Sequence, residues 1–168
     1  MADIIELIYA DHDWFRRQFF LLDQAESTEE LAAIWEPLAT RLDTHAQAEE
    51  TIFYPALLKL GGKEGDPEDE TDDAIDDHNK IRDAVRAAGE LETGSDEWVE
   101  AVGKARTENG EHLDEEEREG MPDFIKSTSL DLRHELAMKW MRFYREHPEG
   151  KGIDTGDRDP EQYIAENS

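Results

Sequence analysis

The chain has 168 residues, no cysteine, and 44 acidic residues against 18 basic ones, for a formal net charge of −26. That length suits one domain whose core buries roughly 70% of the unfolded surface without staples. The missing thiols exclude disulfides, thiolate metal sites and cysteine nucleophiles, and so negative a surface argues against nucleic acid and membrane as partners.

The hydrophobic period is helical almost throughout. Asp3 and Glu6 look like a capping box opening a first helix, whose inward row is Ile5, Ile8, His12, Phe15, Phe19 and Leu22. Ser27 and Glu30 open a second, with Leu31, Ile34, Leu38, Leu42, His45, Glu49 and Ile52 on one stripe. Pro37 inside it, and Pro55 near its end, are predicted to kink or interrupt it. Gly61, Gly62, Gly65 and Pro67 mark a loop. A third helix is predicted over about 69–91, with Ile75, His78, Ile81 and Val85 inward. Thr93, Gly94 and Ser95 separate it from a fourth, whose inward row is Trp98, Val102, Ala105, Asn109, His112 and Glu116, and which ends at Gly120 and Pro122. A fifth, about 129–146, offers Leu130, Leu136, Ala137, Trp140, Met141, Phe143 and Tyr144 for packing on the rest.

From His147 onward the chain reads as a loose polar tail. No segment alternates, so no sheet is predicted. The expected fold is all-α: an up-down-up-down antiparallel four-helix bundle over 1–126, an appended C-terminal helix over 127–146 and a tail over 147–168. No apolar run approaches a membrane span, and the N-terminus lacks the basic stretch of a secretion signal, so the expected location is the cytoplasm. Asp and Glu crowd 64–77 and 111–119; the sequence reads them as a solvated, self-repelling surface rather than a cation store.

Four of the six histidines, His12, His45, His78 and His112, fall one to a helix at near-equal spacing. Asp11-His12 has Arg16 four residues on, and Asp77-His78 has Arg82 four on. His45 is followed by Glu49, Glu50 and Pro55, and His112 by Glu116, Glu117 and Pro122, at the same offsets. The chain reads as two copies of one helix hairpin, related by a pseudo-twofold axis. Depths of roughly 10–20 Å from one end of the bundle, at about 1.5 Å per residue, let all four histidines face one point. The i,i+4 spacing sets Glu49 beneath His45 and Glu116 beneath His112.

Burying four imidazoles and two carboxylates in an apolar core is costly unless something compensates them, and a pair of divalent ions does. Imidazole suits iron, zinc or manganese, and a carboxylate can bridge two ions. His12, His45, Glu49, His78, His112 and Glu116 are thus the candidate ligands, with positions left open for water, dioxygen or peroxide. Glu50, Glu115 and Glu117 read as surface charges, with Glu50 or Glu115 as the alternative spare or supporting ligand. Arg16 and Arg82 read as surface ion-pair partners, with clamps behind the ligands as the alternative, and His134 and His147 as unrelated to the site. Tyr54 and Trp14 are near enough in sequence to line the pocket but read as core packing.

This residue set resembles the hemerythrin-like (HHE cation-binding) family over roughly residues 3–122. The resemblance rests on His12, His45-x3-Glu49, His78 and His112-x3-Glu116, and on the stretches HAQAEETIFYPALL and EHLDEEEREGMPDF. It implies a four-helix bundle holding two non-haem iron ions bridged by both glutamates. The oxygen-carrying members have a fifth histidine on the third helix; here Ala74 and Arg82 stand four residues either side of His78. Those members also carry Asp where this chain has Glu116. The four-His, two-Glu set is more similar to iron-centre repair proteins, iron-sensing domains and peroxide-decomposing members. The implied function is reaction with a small oxidant such as hydrogen peroxide, dioxygen or nitric oxide, in redox or iron homeostasis, with catalase-like turnover one form of it. The alternative is a non-catalytic iron- or oxygen-sensing or storage module acting through a protein partner, for which the sequence shows no attached effector.

Overall fold

The computed structural model describes residues 1–62 and 65–168; Glu64, which opens the first acid run, lies outside them. Four long helices form the bundle: α1 (Ile4–Leu22), α2 (Thr28–Ala48), α4 (Pro67–Gly89) and α5 (Asp96–Arg118). Side chains of Asp3, Ser27 and Ser95 cap α1, α2 and α5 by accepting from backbone N–H groups of the first turn, as their sequence positions predict. α1 packs on α2 and α4 on α5, while α2 also touches α4 and α1 touches α5, which closes the ring. The described residues contain no strand.

The interior is layered. One apolar cluster gathers Ile4, Ile8, Ile52, Phe53, Ile75, Met121 and Phe124, and a second gathers Phe15, Leu38, Leu42, Ile81, Trp98 and Leu113. α1, α2 and α4 each cross from one cluster to the other with the histidine at the crossing, whereas α5 lies in the second cluster and the chain enters the first only beyond it, at Met121 and Phe124. The bundle therefore carries a buried polar layer between two greasy ones.

The prolines act differently from the prediction. α2 runs through Pro37 unbroken; Pro37 and Ala33, whose carbonyl it deprives of a partner, are both exposed, so the loss falls on the solvent side of the helix. Before Pro55 the chain neither stops nor kinks freely but widens into a π turn, Glu49–Phe53, and continues as α3 (Tyr54–Leu60). Tyr54 N–H reaches back five residues to the Glu49 carbonyl, absorbing one extra residue into the coil. In the second copy the chain breaks at Glu119 instead, and Gly120 and Pro122 begin a further short helix, α6 (Gly120–Ser127), rather than ending the fourth.

The appended helix α7 (Leu130–Glu146) packs across α1 and α2 through Leu136, Ala137, Trp140 and Phe143, while Leu130 and Met141, assigned to the same face, are exposed. Likewise Leu31, Ile34 and Val85 are only half-buried, and Trp35 takes the core position that Ile34 was assigned. Residues 147–168 are not a loose tail. A 3₁₀ turn, Pro148–Gly150, rests on α2; at Gly150 (φ +69°) a Cβ would come within 2.7 Å of Thr40 Cγ2, so only glycine meets both the conformation and the approach. The chain then crosses to α4 and ends in α8 (Pro160–Asn167), where Tyr163 is buried. Polar contacts hold it: the Asn79 side chain donates to the Arg158 carbonyl and accepts from the Arg158 N–H.

Candidate metal centre

All six residues singled out in the sequence are buried and meet in the polar layer. Glu49 lies at its centre. Its Oε1 is 3.0 Å from His45 Nε2 and 4.0 Å from His12 Nε2; its Oε2 is 3.2 Å from His78 Nε2 and 3.9 Å from His112 Nε2. Each carboxylate oxygen thus faces one histidine pair. Glu116 Oε2 spans the pairs, 3.5 Å from His12 Nε2 and 3.9 Å from His112 Nε2.

Every Nδ1 faces a carboxylate on the outer side. His12 Nδ1 lies 2.8 Å from Glu117, His45 Nδ1 3.1 Å from Asp11 and His78 Nδ1 2.9 Å from Glu50. His112 Nδ1 lies 3.9 Å from Asp77, an ion-pair rather than a hydrogen-bond distance. Arg16 in turn donates to Glu117 and Arg82 to Glu50. The Asp, the second Glu and the Arg of the duplicated motif therefore each have a partner, some within a hairpin and some between hairpins. The Asp before each first-type histidine faces the second-type histidine of its own hairpin. The second Glu after each second-type histidine holds the first-type histidine of the other hairpin.

The structure departs from the sequence expectation at Glu50, Glu117, Arg82 and Tyr54. Glu50 is not a surface charge but is 4% exposed, and Glu117, half-buried, holds His12. Arg82, 2% exposed, is an internal partner of Glu50, while Arg16 is the partly exposed pair expected. Glu115 is exposed and holds no histidine. Tyr54 is part of the centre rather than simple core packing: its hydroxyl donates to Glu116 Oε1 at 2.9 Å and lies 3.4 Å from Glu49 Oε2. The π turn brings it there, and at the matching place in the second copy, just before Pro122, stands Met121. Trp14 lines an outer groove with Arg41, Tyr144 and His147, and none of the six candidate ligands takes part in that lining. His134 and His147 bind backbone carbonyls of Ala2 and Lys151, apart from the centre as expected.

The donor chemistry fits a cation. An Nδ1–H given to a carboxylate leaves Nε2 as a lone pair, and all four Nε2 atoms point inward at carboxylate oxygens. His78 Nε2 and His112 Nε2 are 3.2 Å apart. His12 Nε2, His45 Nε2, Glu49 Oε1 and Glu116 Oε2 are buried without any hydrogen-bond partner; the 3.0 Å approach of His45 to Glu49 is too misaligned to be one. Two groups of three have ligand atoms mutually within 4.8 Å: His12, His45 and Glu49, and Glu49, His78 and His112. Such a set of buried acceptors is costly until a positive ion satisfies it.

Without that ion, protons must do so. Burial alone would lower the His45 imidazole, but Glu49 and Asp11 together raise it to about 10, whereas burial prevails at His12 and brings it to about 4. Burial, then the Glu49 charge, pushes Glu116 up to about 8. Burial would raise Glu49 as well, yet His45, His112 and His78 hold it well below the usual carboxylate range. Burial opposes protonation of His112 too, but Glu49 and Glu116 raise its imidazole, so at pH 7 the metal-free centre carries protons on His45 and Glu116 and favours one on His112. Loading it with a divalent ion is expected to release at least two protons per chain at pH 7, and fewer at pH 9, once Glu116 is ionised. An indicator dye in weakly buffered solution reads this directly; release that is the same at both pH values would contradict it.

An all-helical bundle whose buried layer can hold a metal through imidazole and carboxylate groups is the class that fold and site define. The chain belongs to the family described as the hemerythrin HHE cation-binding domain, whose family model matches residues 3–123. No curated protein and no solved structure matches it. The matched span stops before α7 and α8, yet α7 and the lead-in to α8 reach the centre's outer side: the Tyr144 hydroxyl donates to Asp11 at 2.8 Å, and Arg158 donates to Glu50.

Proposed function

We propose that this chain is a non-haem di-iron protein whose centre binds or reacts with a small oxidant (hydrogen peroxide, dioxygen or nitric oxide) in redox or iron homeostasis. The division of Glu49 carries the reading: one oxygen faces His12 and His45, the other faces His78 and His112. Two ions would be held by those pairs, with Glu49 and Glu116 shared between them. When bound, iron supplies the electrons that the oxidant takes up, and six side chains leave each ion short of an octahedral set. The rest falls to the chain. Phe15 and Trp140 wall the His45 ring at 5.1 and 5.5 Å between centroids and keep water from that side. Tyr54 holds its proton beside Glu116, because burial and the Glu116 and Glu49 charges raise the phenol well above its usual range.

Elemental analysis of iron-loaded protein, with its visible spectrum and peroxide consumption, tests the reading. Close to two irons per chain and peroxide loss faster than with metal-free protein are expected. Two irons without turnover would move the reading to a sensing or storage module, and no retained metal would sink it. His45→Ala should lose at least one ion, whereas His134→Ala should retain both; unchanged content in the first would overturn the ligand assignment.

A further inference from the structure

The two acid runs, distant in sequence, meet at one end of the bundle. The first lies at the start of α4 and the second at the end of α5, and these antiparallel helices pack closely along their length. Between them lies a narrow pocket of about 50 Å³. Asp69, Glu70 and Asp73 of α4 face Glu115 and Glu119 of α5 across it, and Asp77 lies one turn further along α4. His112 and Glu116 complete the lining, 2% and 5% exposed, so the pocket ends on the buried centre. Glu116, whose Oε2 has no hydrogen-bond partner, is part of this floor.

Two physical features separate this cluster from an ordinary solvated surface. Glu115 and Glu119 sit at the C-terminal end of α5, where the helix dipole favours cations and disfavours carboxylates. Stability does not explain them there. No lysine or arginine lines the pocket among the described residues; Arg118 meets Glu119 on the exposed rim at 3.1 Å, and Lys80 meets Asp77 at 2.9 Å. The crowding also shows in Glu70, whose carboxyl is pushed up to about 7 by burial, then by Glu119 and Asp69. The volume admits a few waters or a partly dehydrated ion and excludes an organic substrate.

We propose that this pocket is the route by which divalent cations reach the buried centre. Rim carboxylates capture the hydrated ion and replace part of its water, and Glu116 with His112 receives it at the floor. The proposal rests on the reading of the centre as a metal site and states how that site is filled. A cleft lined by one sign of charge raises the arrival rate of the opposite charge by roughly 10- to 1,000-fold, and salt weakens the effect.

The test follows Co²⁺ binding to metal-free protein by stopped-flow visible absorption, with final metal content measured separately. The triple variant Glu70→Gln/Asp73→Asn/Glu119→Gln is expected to load about tenfold or more slowly at low salt, with a flatter salt dependence, yet to reach wild-type content. A control triple, Glu90→Gln/Glu97→Gln/Glu100→Gln, removes the same number of carboxyl groups from exposed positions at the other end of the bundle. Glu97 lies roughly 28 Å along α5 from Glu116. The control should load at the wild-type rate. A pocket variant as fast as wild type, or a control equally slowed, overturns the route while leaving the centre standing. Wild-type protein that takes up no Co²⁺ overturns the centre and the route with it.

Discussion

Glu50→Ala is expected to destabilise the metal-free protein by about 4 kcal/mol, because it strands a guanidinium in the core. Arg82 is 2% exposed, Glu50 is its hydrogen-bond partner through Nη2, and its Nε and Nη1 have none. The same carboxylate holds His78 and Arg158, so three groups lose their partner together. Glu117→Ala, the equivalent change in the other hairpin, should cost only about 1–2 kcal/mol, the penalty of one unsatisfied His12 Nδ1–H. Its arginine, Arg16, has a side chain 41% exposed and returns to water. Urea unfolding of both variants makes the comparison, with the duplication serving as its own control. Equal losses would mean that burial of the Arg82 pair carries no weight.

Glu49→Gln is expected to lower bound iron from near two per chain to near zero. Glu49 alone belongs to both groups of ligand atoms, so its charge is shared where each histidine serves one. The amide preserves shape and hydrogen-bonding size but removes the anionic oxygens that let a carboxylate bridge two ions. Circular dichroism should show the helices intact, so that loss of metal is not loss of fold. A variant that still holds an iron tightly would show that the histidine pairs suffice without the shared carboxylate.

The histidines, the shared glutamates and the bundle were legible because they obey the helical period, and the duplication of the motif tied them into one layer. Tyr54 was not. In a regular helix the fifth residue after Glu49 lies about 140° around the axis, off the inward face. The extra residue in the π turn undoes that offset, and a stripe drawn at 3.6 residues per turn is blind to it. Arg16 and Arg82 have identical motif neighbours and opposite burial. What separates them lies far along the chain, where α8 and its lead-in pack against α4. That segment was itself illegible as structure: it buries one large side chain, Tyr163, and is otherwise attached through Asn79, Glu50 and Arg86. Composition describes such a strand of contacts as tail.

The Glu50 brace also has a chronology. Glu50 and His78 leave the ribosome early, whereas Arg158 and Tyr163, which bind the Glu50 carboxylate and carbonyl, are made only after all four bundle helices. Domains fold as units while synthesis proceeds from the N-terminus. The nascent bundle thus passes through an interval in which its histidines are assembled but the socket behind His78 is held by Arg82 alone. The socket is complete only once the segment carrying Arg158 and Tyr163 has been made and has docked on Glu50.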